Sequence, residues 1–107
     1  MEVISGKSNK LIVCIYEFLG TALLIYAINL GANGIAPNFA IAFMIFALIL
    51  LGGPISGAHF NPAVTLGVYV SNRFWRQDWA FFLAITFSQL LGGLFGILLV
   101  WGSLVNY

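Results

Sequence analysis

Charged residues are scarce in this chain of 107 residues: they make up 7% of the composition, against 62% hydrophobic residues. The mean hydropathy is +1.05, and no Asp, Glu, Lys or Arg occurs from Ile35 to Asn72. A water-soluble globule of this size could not cover its surface with so few polar groups. The composition therefore indicates an integral membrane protein, with the lipid bilayer as its surroundings.

Other absences narrow the function further. Four basic residues against three acidic ones form no basic stripe, so we expect no nucleic-acid partner. The single cysteine, Cys14, cannot form an internal disulfide, and a single histidine without a partnered cysteine predicts no metal site. The sequence shows no acid pair, no Ser-His-Asp arrangement and no phosphate-binding glycine loop. We therefore expect neither an enzyme nor a bound cofactor.

Three apolar segments are candidates to cross the bilayer, at residues 11–30, 38–52 and 79–101. The first follows a polar tail, residues 1–10, and its about 20 residues suffice to cross roughly 30 Å of hydrocarbon. A cleaved signal core is shorter, so we interpret this segment as a retained span. The third span begins and ends with tryptophans, Trp79 and Trp101, which suit the two membrane interfaces.

The segment 53–72 allows two topologies. The second span meets Gly52-Gly53-Pro54 after about 15 residues, or about 22 Å of helix, although apolar residues continue to Val70. Residues 53–72 form either a full fourth span or a re-entrant loop followed by a half-helix that leaves on the same side. The re-entrant topology places all four basic residues on one side of the membrane. The charges thus favour three spans plus one re-entrant half-helix, with the N-terminus on the cytoplasmic side or its matrix-side equivalent.

Asn61 and Pro62 predict where the half-helix begins. Proline at the first helical position leaves no N–H unpaired, and the preceding Asn can cap the helix, which we expect to end near Tyr69. The backbone before it, from Gly53 to His59, is predicted to be non-helical, so its carbonyls and the helix's first N–H groups would line a wet path. Such a path suits small neutral solutes and repels cations through the positive helix end.

The stretch SGAHFNPAVTLG resembles the first Asn-Pro-Ala box of the aquaporin and aquaglyceroporin family, the major intrinsic proteins. YEFLGT, from Tyr16 to Thr21, resembles the first-span signature of that family, and SQLLGG, from Ser88 to Gly93, resembles its third-span Gln-x-x-Gly. Because the box and both flanking signatures occur in order on suitable spans, the resemblance covers nearly the whole chain. It implies that residues 11–107 are the N-terminal half of an aquaporin-like channel.

The resemblance also implies roles for individual residues. Pore-lining positions would be Asn61, Pro62 and Ala63 at the half-helix tip, the carbonyls of Gly57, Ala58 and His59, and Ile41 at a constriction where the family often has a bulky aromatic residue. Because Ile41 departs from that pattern, we expect that small neutral solutes could pass as well as water. His59 would either contact solute or hydrogen-bond within the loop. Glu17 would anchor the loop through its backbone N–H groups, with Gln89 as a second structural anchor between helices.

Members of this family contain two such halves as inverted repeats, and this sequence contains one. The second Asn-Pro-Ala box and its arginine do not occur in the 107 residues. An inverted homodimer would need dual topology, which basic residues on one side disfavour. We therefore expect either a channel half that needs a second half, in a tetramer of complete channels, or a non-conducting structural subunit of a larger membrane complex.

Overall fold

The structure is a computed structural model that describes residues 9–31, 37–73 and 78–105. Within those ranges it contains four α-helices and no β-strand: α1 (Lys10–Gly31), α2 (Pro37–Ser56), α3 (Pro62–Ser71) and α4 (Trp79–Val105). Most of the predicted polar tail lies outside the described residues. Three of the four helices follow the predicted spans.

The three long helices, α1, α2 and α4, are each long and apolar enough to cross a membrane. Helix α3 has 10 residues, which gives it a length of about 15 Å, half the hydrocarbon thickness. The predicted fold class, three long apolar helices with one shorter helix, is confirmed. The protein is an integral membrane protein.

Helices α1 and α4 lie side by side and run in the same direction. At one end Lys10 Nζ lies 2.5 Å from Asp78 Oδ2, and at the other Tyr26 Oη lies 3.1 Å from Ser103 Oγ. Two helices that both cross the membrane can start on the same side only if the chain between them returns to that side. One full crossing by α2 meets this condition, and a second full crossing by residues 53–72 would violate it.

Two glycines of α4 allow the close approach of α1. A Cβ atom built on Gly92 would lie 2.3 Å from the Phe18 carbonyl oxygen, and one on Gly96 would lie 2.5 Å from that of Ala22. Small residues at such crossings let backbones pack closely where lipid removes the hydrophobic drive for association. Gly92 and Gly96, four residues apart on the third span, therefore serve helix packing.

We expect Gly92→Ala to destabilise the helix pair by about 1–3 kcal/mol, because the new methyl group meets backbone that cannot move without shifting all of α1. Gly93→Ala is the matched control, since its Cβ would make ordinary contacts of 3.9 and 4.0 Å. Thermal unfolding of both variants in detergent micelles measures the difference. Equal stability of the two would contradict the close crossing.

Helix α2 packs antiparallel against α1, with its last residues beside Glu17. The prediction that regular helix stops at Gly52-Gly53-Pro54 is wrong, since α2 continues through Pro54 to Ser56. The fixed φ of proline fits a helix. Because proline has no N–H group, the helix loses only one backbone hydrogen bond. The helix end keeps other bonds: Gly57 N–H donates to Gly53 O at 3.0 Å, and Ser56 Oγ lies 3.3 Å from Gly52 O.

Helix α3 begins at Pro62, as its sequence predicts, and ends at Ser71, two residues beyond the predicted end. The Asn61 side chain accepts the Ala63 N–H at 2.8 Å, Pro62 occupies the first turn, and Asn72 closes the other end. Tyr69, in the last turn, packs on Phe82 with ring centroids 5.1 Å apart and joins a buried cluster. The other members of that cluster are Val13, Phe81 and Ile85. The C-terminal end of α3 thus lies near the starting ends of α1 and α4.

The ion pair between Lys10 and Asp78, at this end of the bundle, predicts that stability depends on pH. The Lys10 ammonium and the Phe81 N–H hold the pKa of the Asp78 carboxyl below its usual value. A lowered pKa in the folded state means that the stabilisation is present at neutral pH and is lost as pH falls through the lowered value. Lys10 is largely exposed, so the effect is small. We expect Asp78→Asn to lower the melting temperature slightly at pH 7, and by less and less as pH falls below the usual pKa range of an aspartate carboxyl. An effect that does not change with pH would contradict the pairing.

Candidate functional site

The candidate site is the loop from Gly57 to Asn61, between the end of α2 and the start of α3. Three of its residues have positive φ: Gly57 at 86°, Ala58 at 53° and Phe60 at 52°. Residues other than glycine rarely adopt this left-handed region, and each such residue costs on the order of 1–3 kcal/mol. Contacts from the neighbouring helices must therefore hold the loop in place.

Glu17 on α1 supplies the main contact. Its side chain is fully buried, and four donors surround the carboxylate. Oε1 accepts from Ser56 Oγ at 2.7 Å and from the His59 N–H at 3.0 Å. Oε2 accepts from the Phe60 N–H at 2.7 Å and from Gln89 Nε2 at 2.9 Å. One carboxylate thus joins α1, the end of α2, the loop and α4, which is the satisfied state that a buried acid requires.

Thr65 on α3 extends the network. Its Oγ1 accepts from Gln89 Nε2 at 2.8 Å and lies 3.0 Å from His59 Nδ1. The same oxygen lies 3.3 Å from the Asn61 carbonyl oxygen, one turn back on its own helix. Gln89 therefore bridges the carboxylate and the half-helix, and fixes α3 relative to α4.

Measured along the long apolar helices, the site lies between one end of the bundle and its middle. Glu17 is seven residues along α1 from Lys10, about 10 Å, and Gln89 is ten residues along α4 from Trp79, about 15 Å. These depths fall between one end of the bundle and the middle of a hydrocarbon core of about 30 Å. Backbone of this kind is tolerated there only where protein surrounds it or water reaches it.

Several polar groups of the loop have no partner within the described ranges 9–31, 37–73 and 78–105. The carbonyl oxygens of Gly57, Ala58 and His59 accept no hydrogen bond there. His59 is 93% buried, and its Nε2 atom has no hydrogen-bond partner. The Asn61 side chain is exposed and uses its Oδ1 as the helix cap, which leaves the Nδ2 hydrogens available. The loop thus offers acceptors and donors side by side.

The remaining predicted site residues lie around this loop. Pro62 is half-buried and Ala63 exposed in the first turn of α3, and Ile41 is half-buried in the first half of α2. The row of free carbonyls is shorter than predicted, because Ile55 and Ser56 belong to helix α2. The contacts join Glu17, Gln89 and His59 directly, and do not bring Ile41 to the loop.

Sequence reasoning missed three residues of this site: Ser56, Phe60 and Thr65. Thr65 is four residues after Asn61 on an apolar helix, so a polar side chain one turn from the cap was its only signal. Ser56 reads as a turn residue beside Gly57, which concealed its bond to Glu17. Phe60 reads as one more apolar side chain.

Comparison with known sequences gives one family. The model of the Major intrinsic protein family matches residues 5–107. Aquaglyceroporin AqpS of Rhizobium meliloti (strain 1021) is 35% identical over 95 residues, which cover 78% of this chain and 40% of the relative. Aquaporin NIP1-1 of Zea mays is 43% identical over 89 residues, covering 73% and 30%. Aquaporin-8 of Mus musculus is 39% identical over 90 residues, covering 78% and 33%.

The chain thus spans two fifths or less of the length of these relatives. No solved structure matches the sequence.

Proposed function

Because the chain belongs to the major intrinsic protein family, we propose that it forms one half of a passive transmembrane channel for water or small uncharged solutes. Members of this family are channels and not enzymes. The names of the relatives, aquaporin and aquaglyceroporin, support both water and small polyols as solutes. A second half would complete the pore.

The observation that carries the proposal is the anchored loop. Free carbonyls at Gly57, Ala58 and His59 run up to the exposed amide of Asn61, at a depth where unpaired backbone needs water or a polar solute. The first turn of α3 adds a positive helix end at the same place. A neutral molecule with both donors and acceptors can exchange bonds along this row, whereas a cation meets positive potential.

The same contacts support a re-entrant topology. Since α1 and α4 start at one end and α3 returns towards that end, we infer that residues 57–71 enter and leave on one side of the membrane. In this topology the predicted pore-lining residues, Gly57 to His59 and Asn61 to Ala63, would face the solute path. Ile41 would line it from α2. Lys10 and Arg73 lie towards the same end, which supports a cytoplasmic N-terminus. The expected assembly is a tetramer of completed channels.

Stopped-flow permeability of proteoliposomes tests the proposal. We expect the 107-residue chain alone to give lipid background, because half of the pore wall is missing. A chimera that joins it to the C-terminal half of the maize relative should conduct water well above background. A non-conducting structural subunit would leave the chimera at background too, and that result would overturn the channel function.

In the conducting chimera, Asn61→Asp should lower water permeability by about tenfold or more. The substitution replaces the amide donors of Asn61 by an acceptor-only carboxylate and puts a negative charge in the path. Asn72→Asp is the matched control, since it makes the same chemical change at the exposed C-cap of α3. Equal permeability of the two variants would show that Asn61 does not contact solute.

A further inference from the structure

Phe60 stands out because a large aromatic residue has a left-handed backbone directly before the cap of α3. Its φ is 52°, its side chain is 5% exposed, and its N–H donates to Glu17 Oε2 at 2.7 Å. This hydrogen bond and that of the neighbouring His59 N–H hold the backbone on the amide side of Phe60, but they do not hold its side chain. A second contact is needed to hold the peptide in a strained conformation.

Two glycines on different helices provide that contact. A Cβ on Gly20 of α1 would lie 2.0, 2.4 and 2.6 Å from three carbon atoms of the Phe60 ring. A Cβ on Gly52 of α2 would lie 3.0 Å from Cζ of the same ring. We call the space formed by Gly20 and Gly52 the glycine notch. The ring occupies it so closely that neither position accepts a methyl group without displacing the ring.

Part of the ring borders a groove. An apolar groove of about 250 Å³ borders Phe60 between α1 and α2, and its walls include the exposed side chains of Leu19, Leu23 and Leu51. If the ring is forced out of the notch, it can therefore move into this groove. Any such movement pulls on the Phe60 backbone, and the next residue is Asn61.

We propose that Phe60 is a positioning residue: its ring in the glycine notch and its N–H on Glu17 together set where the loop carbonyls and the Asn61 cap lie. The effect of this positioning on permeability rests on the proposed channel function, because the position of the loop would set the width of the solute path. The ring itself touches no solute. It acts through the backbone on either side of it.

Gly20→Ala tests the proposal in the 107-residue chain in lipid nanodiscs. We expect hydrogen exchange at the His59 and Phe60 amides to become about tenfold faster or more, because both donate to Glu17 from a loop that has been displaced. Amides in the middle of α4 should keep their protection. Gly53→Ala is the control, since a Cβ there meets nothing within 4 Å.

Rescue by a smaller side chain separates positioning from general damage. Phe60→Leu in the Gly20→Ala background relieves the clash and should restore much of the lost protection. Phe60→Leu alone adds no clash and should loosen the same two amides without affecting the helices, which keeps the test open if Gly20→Ala does not fold. Exchange equal to that of Gly53→Ala, or no rescue in the double variant, would overturn the proposal.

The chimera provides the functional readout. Gly20→Ala should change the ratio of glycerol to water permeability severalfold, and the double variant should bring the ratio back towards that of the parent. An unchanged ratio in a conducting chimera would overturn the positioning role. If the parent chimera itself does not conduct, the channel function fails while the exchange experiment still decides whether Phe60 holds the loop.

Discussion

Glu17→Ala is expected to lower the free energy of unfolding by about 4 kcal/mol or more, among the largest effects of any single substitution in the chain. Four donors converge on the carboxylate: Ser56 Oγ, the N–H groups of His59 and Phe60, and Gln89 Nε2. Alanine removes the shared acceptor and leaves a cavity: the His59 and Phe60 N–H groups become unsatisfied in a buried site, at about 1–3 kcal/mol each, while Ser56 Oγ keeps Gly52 O and Gln89 Nε2 keeps Thr65 Oγ1. The left-handed residues of the loop lose their main tertiary restraint at the same time.

Glu17→Gln makes the same test without a cavity. The amide keeps the shape of the carboxyl group, but its NH₂ group must face donors on one side, either Ser56 and His59 or Phe60 and Gln89. We expect a loss of about 2–4 kcal/mol, because in either orientation one buried loop N–H, of His59 or of Phe60, loses its acceptor and faces the new NH₂ group. Unfolding by rising SDS in mixed micelles gives the free energies.

Thr86→Val is a matched control for both variants. Thr86 is also polar and inside a long helix, but its Oγ1 has no hydrogen-bond partner in the described part of the chain. Replacing a hydroxyl without a partner by a methyl group of similar shape should be neutral or slightly stabilising. If Glu17→Gln were as stable as Thr86→Val, the carboxylate would not be the anchor of the loop.

The parts of the fold that depend on length and local chemistry could be predicted from the sequence. Apolar runs bounded by tryptophans or turn residues placed the long helices, and Asn61-Pro62 placed the start of α3, because a cap and a first-turn proline are local signals. The end of α2 was misplaced by four residues, Gly53 to Ser56, since Pro54 reads as a breaker. Whether a proline ends a helix depends on what satisfies the neighbouring carbonyls, and that is tertiary information.

The network around the loop was less accessible to sequence reasoning. The contact of Glu17 with loop N–H groups was expected from the family resemblance alone; the residues themselves indicate only that a buried acid needs partners. Thr65 and Gln89 are 24 positions apart and meet through helix packing, which no periodic pattern encodes. Left-handed backbone at Ala58 and Phe60 has no sequence signal either, because these residue types rarely adopt it.

Gln89→Glu tests the other side of the network, with an effect that depends on pH. Gln89 Nε2 lies 2.9 Å from Glu17 Oε2 and 2.8 Å from Thr65 Oγ1, so a carboxylate at this position places acceptor against acceptor in a buried site. At pH 8 we expect a loss of at least about 3 kcal/mol, the scale of an uncompensated buried charge. Protonation of one carboxyl group restores a donor between the two oxygens.

The direction of the pH dependence distinguishes this explanation from simple misfit. The folded variant is stable only with one proton between the two carboxyl groups, whereas the solvated glutamates of the unfolded chain release theirs at acidic pH, so its stability falls as pH rises from 5 to 8. Gln89→Leu removes the same two bonds without adding charge, and its loss of about 2–4 kcal/mol should be the same at pH 5 and pH 8. We therefore expect the Glu variant to be the less stable of the two at pH 8 and to recover at pH 5. A loss independent of pH in both variants would mean that Gln89 fills space between α3 and α4 and does not bridge the Glu17 carboxylate to Thr65.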